Sequence, residues 1–234
     1  MMGAGNEAVL AVDSSTRDAF VAVEVDGTLA ASEAVTARAN ASSALLPAVD
    51  RAVRAAGMAP DGLTAVVVGG GPGSFTGLRI AAATAKGVVR ALGVPLYAYS
   101  GLLATAAAHR DGDRAVCALF DARNRDVFAG CWRFGAGVKE VLGVAAGPVD
   151  EVVERLRGEP VRFVGEGAAL HRALLEDAFG VGAVAAEERS PAVGLLWLAR
   201  AVPALGRVAD AAAWGPDYVR AAGVERIAAA RGAG

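Results

Sequence analysis

Two cysteines, two histidines and no long apolar run set the first limits on this chain of 234 residues. Cys117 and Cys131 both fall inside strand-like apolar segments, so a disulfide framework is not expected and a reducing, cytoplasmic setting is. His109 and His171 are the only histidines. With no His-x-x-Glu-His, His-x-x-x-His or Cys-x-x-Cys spacing, a zinc site lacks ligands, and the serine-rich stretches have no neighbouring base. Both histidines read as ordinary surface or helix-end residues. No apolar run approaches the roughly 18 residues that span a bilayer, so no membrane partner is expected. The opening MMGAGNEAVLAVD lacks the basic segment and long apolar core of a signal peptide. The net charge is −2 and no basic block stands out, so any action on RNA is expected to borrow its grip from another subunit.

What the chain does have is 54 % apolar residues and 30 glycines, the balance of closely packed α/β structure. Its length suits one large domain or two small ones. A strand at 7–12 ends at Asp13, and a second at 18–25 turns through Asp26-Gly27, the strongest hairpin signal present, into a third at 28–35. Ser42 or Ser43 can cap a helix to about residue 56, with Pro47 in its first turn. A strand at 64–68, a helix at 77–92, a strand at 94–99 and a helix after Ser100 complete the first half. Pro95 predicts that the last of these strands lies at an edge or has the proline at its first residue. The second half repeats the order with strands at 114–120, 126–134 and 138–144, a helix at 149–157, a strand at 161–164, a helix at 168–178 and a short strand near Val184. Ser190-Pro191 opens a final helix. Each half reads βββαβαβα, with an Asp closing its first strand. The order is that of two tandem ribonuclease-H-like domains of the actin-like ATPase type, expected at 1–108 and 109–234, with the tail after about 205 free to pack back on the first.

Two turns and two helices are the candidate sites. Residues 69–77, GGGPGSFTG, follow a strand and precede a helix, the setting that usually cradles a phosphate. Yet Gly77 is followed by Leu78-Arg79 rather than Lys-Ser/Thr, and Gly71-Pro72-Gly73 reaches its next glycine one residue late for a dinucleotide loop. A tight structural turn or docking surface, with Thr76 as helix cap, is therefore expected of Gly71, Pro72, Gly73, Ser74, Phe75, Thr76, Gly77 and Arg79. The weak nucleotide candidates are Asp13, Ser15 and Thr16 in the first Asp turn and Asp121 in the second. Ser15 stands where a phosphate-wrapping turn needs glycine, and Asp121-Ala122-Arg123-Asn124 has none. Helix 77–92 is apolar around most of its girth, and 42–56 carries a comparable face. Either internal burial or a partner would account for that. Leu45, Leu46, Val49, Val53, Ala82, Lys86 and Val89 are the candidate contact residues.

Gly71-Pro72-Gly73-Ser74-Phe75-Thr76-Gly77-Leu78-Arg79-Ile80 and the following Ala-Thr-Ala-Lys-Gly resemble the hallmark of the TsaB family, also labelled glycoprotease-like or M22-peptidase-like. Leu10 to Thr16, Leu45-Leu46-Pro47, Phe120-Asp121-Ala122-Arg123 and Pro216-Asp217-Tyr218-Val219-Arg220 fall in that family's order. The resemblance implies a non-catalytic, actin-like subunit without a cofactor. It would support the TsaD-like subunit that makes N6-threonylcarbamoyladenosine beside the anticodon of tRNAs, together with a TsaE-like ATPase. It would meet tRNA only through that complex and could pair with itself when alone. The competing expectation is an ATP-dependent small-molecule kinase of the actin and sugar-kinase superfamily. A metallopeptidase is the third, and it lacks ligands.

Overall fold

The computed structural model describes residues 7–36, 41–110, 112–123 and 126–217. The first half opens with antiparallel strands β1 (Ala8–Asp13), β2 (Ala19–Val25) and β3 (Thr28–Val35). Asp26 and Gly27 both sit at positive φ between β2 and β3, the conformation that Asp-Gly adopts at least cost. Then come α1 (Ala41–Ala55), β4 (Ala65–Gly69), α2 (Phe75–Leu92), β5 (Leu96–Tyr99) and α3 (Gly101–Ala108). Parallel pairing of β4 with β1 and of β5 with β4 gives the order β3-β2-β1-β4-β5, with Pro95 just ahead of the edge strand as expected.

The second half runs β6 (Ala115–Arg123), β7 (Asp126–Phe134), β8 (Val138–Pro148), α4 (Val149–Leu156), β9 (Val161–Val164), α5 (Glu166–Leu170), α6 (Arg172–Phe179), α7 (Pro191–Ala201) and α8 (Pro203–Gly206). Its sheet order is β8-β7-β6-β9. The fold is α/β, two ribonuclease-H-like halves in tandem.

Five local expectations need correction. β6 runs on to Arg123, so Asp121 lies within the strand, paired with Val127, rather than in a turn at its end. The strand near Val184 shrinks to a single parallel bridge with Phe163. Arg172 takes the carbonyls of Val184 and Ala185 at 3.3 and 2.9 Å, which gives them a side-chain partner in place of a longer ladder. The helix expected at 168–178 is two, α5 and α6, broken at His171, whose backbone leaves the helical region. α1 already begins at Ala41, so Ser42 and Ser43 lie inside it rather than capping it, and Pro47 falls beyond its first turn. α2 starts at Phe75 with Ser74, not Thr76, as its cap: the Ser74 hydroxyl accepts the Gly77 N–H at 3.2 Å.

β1 is buried on both faces, and its alternation divides the core. Leu10 and Val12 face α1 and α2, while Val9 and Ala11 join a central cluster with Leu102, Leu103, Leu195 and Leu198. On the far side of the second sheet, Cys117, Leu119 and Cys131 pack with Val152, Leu156 and Phe163. The two cysteines are directly opposite each other on β6 and β7, buried and unoxidised.

The central layer is crossed over. α3, from the first half, packs on β6 and β7, while α7, from the second, packs on β1, β2 and β4. The two helices lie so close that a Cβ on Gly194 would run into the Ala104 carbonyl. Beyond α8 the chain returns to the first half. Arg207 bridges to Tyr97, Lys86 donates to the carbonyls of Ala212 and Trp214 at 2.8 Å, and the Asp217 N–H donates to Gly70 O at 2.7 Å. Of the resemblance segment 216–220, positions 218–220 lie outside the described residues. Among the described residues, no helix is long and apolar enough to cross a membrane.

Candidate functional site

The first Asp turn is closed by the glycine loop. Asp13, at the end of β1, is fully buried; its Oδ1 accepts the Ser15 N–H at 3.0 Å and the Ser15 hydroxyl at 2.7 Å. Oδ2 has no hydrogen-bond partner among the described residues and points at Gly69, where any Cβ would collide with it. Burial raises the Asp13 carboxyl above its ordinary value, partly offset by the two bonds to Ser15.

The loop's glycines are explained by this contact. The Ser74 N–H donates to Ser15 O at 2.8 Å, and the Ser14 hydroxyl donates to Gly77 O at 2.6 Å. A Cβ at Gly73 would strike the Ser15 carbonyl, and one at Gly77 the Ser14 carbonyl. The two loops are bonded backbone to backbone, and glycine is the side chain that permits it. Gly71-Pro72 is a cis peptide, and the Gly71 carbonyl accepts the Gly101 N–H at the start of α3. At the mouth of α2, the Arg79 guanidinium lies 3.9 Å from the centre of the exposed Phe75 ring.

Ser15, Thr16 and Asp121 do come together, on the wall of a cavity of about 550 Å³ between the halves; Asp13 does not reach it. The Thr16 hydroxyl donates to the Asp18 carbonyl, and Asp121 is exposed. Asn124 lies outside the described residues. Glu166, at the start of α5, shares this wall. Its carboxyl is raised by burial first and by the charges of Asp121 and Glu188, against a bond from the Asp121 backbone and the charge of Arg17. Sequence reasoning passed over Glu166, though Gly165-Glu166-Gly167 directly after a strand was the available signal.

His109 is a helix end, as expected, but not a surface residue. It is buried, and its Nε2 accepts the Arg189 N–H at 3.1 Å. Burial, with the positive charges of Arg189 and Arg162, holds its pKa down to about 4 from an ordinary 6.5. The unfolded chain therefore binds this proton more readily than the native one, and the fold should lose stability as pH falls from about 6.5 to about 4. His109→Gln, which keeps an acceptor for Arg189, is expected to flatten melting temperature against pH across that window. A wild-type slope retained by the variant would assign it to other groups.

The candidate contact residues divide. Leu45, Val49, Val53 and Val89 are buried in the first half's own core, and Ala82 is buried beside them, so none presents a free surface. Lys86 is held by the returning tail. Leu46 is 58 % exposed, and Ala83 and Gly87 lie exposed on α2. Small residues look alike on both sides of a helix, and the sequence could not tell these faces apart. No group of three or more His, Cys, Asp or Glu among the described residues could hold a metal ion.

The crossed halves, each with a sheet that begins as three antiparallel strands, define a protein of the actin-like, ribonuclease-H-like class. The family model described as "TsaD: tRNA N6-adenosine threonylcarbamoyltransferase" matches residues 34–222. The chain is 32 % identical over 224 residues to "tRNA threonylcarbamoyladenosine biosynthesis protein TsaB" of Bacillus subtilis, covering 93 % of this chain and 96 % of that one. A crystal structure of an uncharacterized Pseudomonas aeruginosa protein with similarity to peptidase YeaZ superimposes with TM-score 0.74 at 29 % identity, over 92 % of this chain and all of that one. YeaZ from Pseudomonas aeruginosa superimposes with TM-score 0.70 at 25 % identity, over 91 % and all of the respective chains. The chain belongs to the TsaB family.

Proposed function

We propose that this protein is the non-catalytic scaffold subunit of the machinery that makes N6-threonylcarbamoyladenosine in tRNA, holding a TsaD-like catalytic subunit and joined by a TsaE-like ATPase. One observation carries the reading: Asp13, in the turn that faces phosphates in related ATPases, is buried at 0 % exposure beneath the chain's own glycine loop, and only Ser15 and Thr16 of that turn reach the adjoining cavity. A carboxylate that cannot reach solvent cannot position a nucleotide or its metal. The kinase alternative needs that turn open. The experiment is co-purification with the cell's TsaD-like protein, followed by transfer assays with each subunit alone and both together. Transfer only in the combined sample is expected. Turnover of ATP by the pure chain, with a low-micromolar dissociation constant by calorimetry, would favour the kinase.

The docking surface in this reading is the outward side of α1 and α2, where Leu46, Ala83 and Gly87 lie exposed. The same surface would serve a homodimer when the chain is alone. Leu46→Glu and Ala83→Glu put a charge into that contact without touching the core, and each is expected to weaken pairing by about 2 kcal/mol, more than tenfold in affinity. Gel filtration with the TsaD-like subunit reads the loss, and circular dichroism checks the fold. If both folded variants pair as tightly as wild type, this surface is not the docking site.

A further inference from the structure

Beside the cavity lined by Ser15, Thr16 and Asp121 is a second, of about 300 Å³, walled by both halves. Arg17 and Asp18 reach it from the segment after β1, Thr105 from α3, Glu166 from the start of α5, and Glu188 and Arg189 from the segment before α7. Two arginines and three acidic residues therefore line one small space, with Phe120 on its wall and the Arg189 guanidinium also donating to the Ala108 carbonyl at 3.3 Å. Thr105 is 4 % exposed, and its hydroxyl has no hydrogen-bond partner among the described residues. Buried hydroxyls in native proteins are nearly always satisfied, so one left unpaired beside a cavity points to a partner that is missing there. Burial and like charge around Glu166 make the same point for a cation.

The charges choose the ligand. Polyphosphate would bring several negative charges against three carboxylates, and a nucleotide is large for the space. A purely apolar molecule would leave both signs of charge desolvated. We propose that this cavity binds a basic α-amino acid, its carboxylate met by Arg17, Arg189 and the Thr105 hydroxyl and its side-chain cation by Glu166 and Glu188. Such a ligand carries both signs, with the excess positive charge that the lining lacks. It would join residues of the two halves, and so should stabilise the native state in proportion to its occupancy.

The test uses the purified full chain in calorimetry and thermal-shift assays. L-arginine and L-lysine are the probes, with L-norleucine lacking the side-chain cation and agmatine lacking the carboxylate. One of the two basic amino acids is expected to bind with a dissociation constant of about 1 mM or tighter. Norleucine and agmatine should bind at least roughly tenfold more weakly. Glu166→Gln and Thr105→Val should each weaken binding several-fold with the circular dichroism unchanged. Should Thr105→Val fail to fold, Arg17→Met at the exposed rim makes the same measurement. No saturable binding of either probe by about 10 mM overturns the proposal, as does equal binding of norleucine, binding untouched by the folded variants, or ATP bound in their place. The partner subunit takes no part, so failure here leaves the scaffold reading standing.

Discussion

Gly73→Ala is expected to lower the melting temperature by about 10 °C, the equivalent of about 3 kcal/mol for a chain of this length. Two effects act together. Gly73 sits at a φ of 153°, which side chains other than hydrogen resist, and its Cβ would strike the Ser15 carbonyl. That oxygen already accepts the Ser74 N–H at 2.8 Å, so it cannot move aside without opening the contact between the loops. The outcome separates two meanings of the glycine loop. A loop shaped for an anion would lose affinity on substitution and keep most of its stability. A loop shaped to seal the Asp13 turn loses stability with no ligand present. An unchanged melting curve for Gly73→Ala would remove the physical basis of the scaffold assignment.

A loss of similar size, about 3 kcal/mol, is expected for Gly194→Ala, where two effects oppose and packing wins. Inside a helix, alanine is preferred to glycine by roughly 1 kcal/mol, so α7 taken alone would be strengthened. Against α3, however, the new methyl would meet the Ala104 carbonyl and lie 2.9 Å from the Ala108 nitrogen, both backbone atoms. Neither can turn away as a side-chain tip can. Gly87→Ala is the control, since a Cβ there meets nothing within 4 Å among the described residues, and it should be neutral or stabilising. Denaturant titrations should show a clear loss for Gly194→Ala and none for Gly87→Ala. Parallel shifts would mean that α3 and α7 are not held at the spacing described.

Much of this architecture was legible because local chemistry and global fold agree. Asp26-Gly27 reads as a hairpin and is one, and Ser190-Pro191 opens a helix as its order requires. The expected run of strands and helices holds through the five-stranded first sheet, while the second keeps its first four strands and loses the fifth. What escaped was whatever depends on a partner distant in sequence. The glycines at 69–77 look alike whether they approach a phosphate or another backbone, and only the neighbouring Ser14-Ser15 carbonyls decide between these. Val49 and Ala82 look as available as Leu46 and Ala83 until the sheet beneath them is placed. His109 acquires its shifted titration from Arg189, eighty positions along the chain. Val184 has a strand's composition, but Arg172 occupies the carbonyls that a longer ladder would use.

The crossing of α3 and α7 means that neither half owns the roof over its own sheet. A chain severed between residues 108 and 109 would leave β6 and β7 stripped of Leu102 and Leu103, and β1 stripped of Leu195 and Leu198. Each fragment would carry a bare apolar sheet face and a bare helix, soluble only in the other's company. Mixed together, they could rebuild the whole molecule by trading helices. The protein is in this sense a covalently tethered heterodimer.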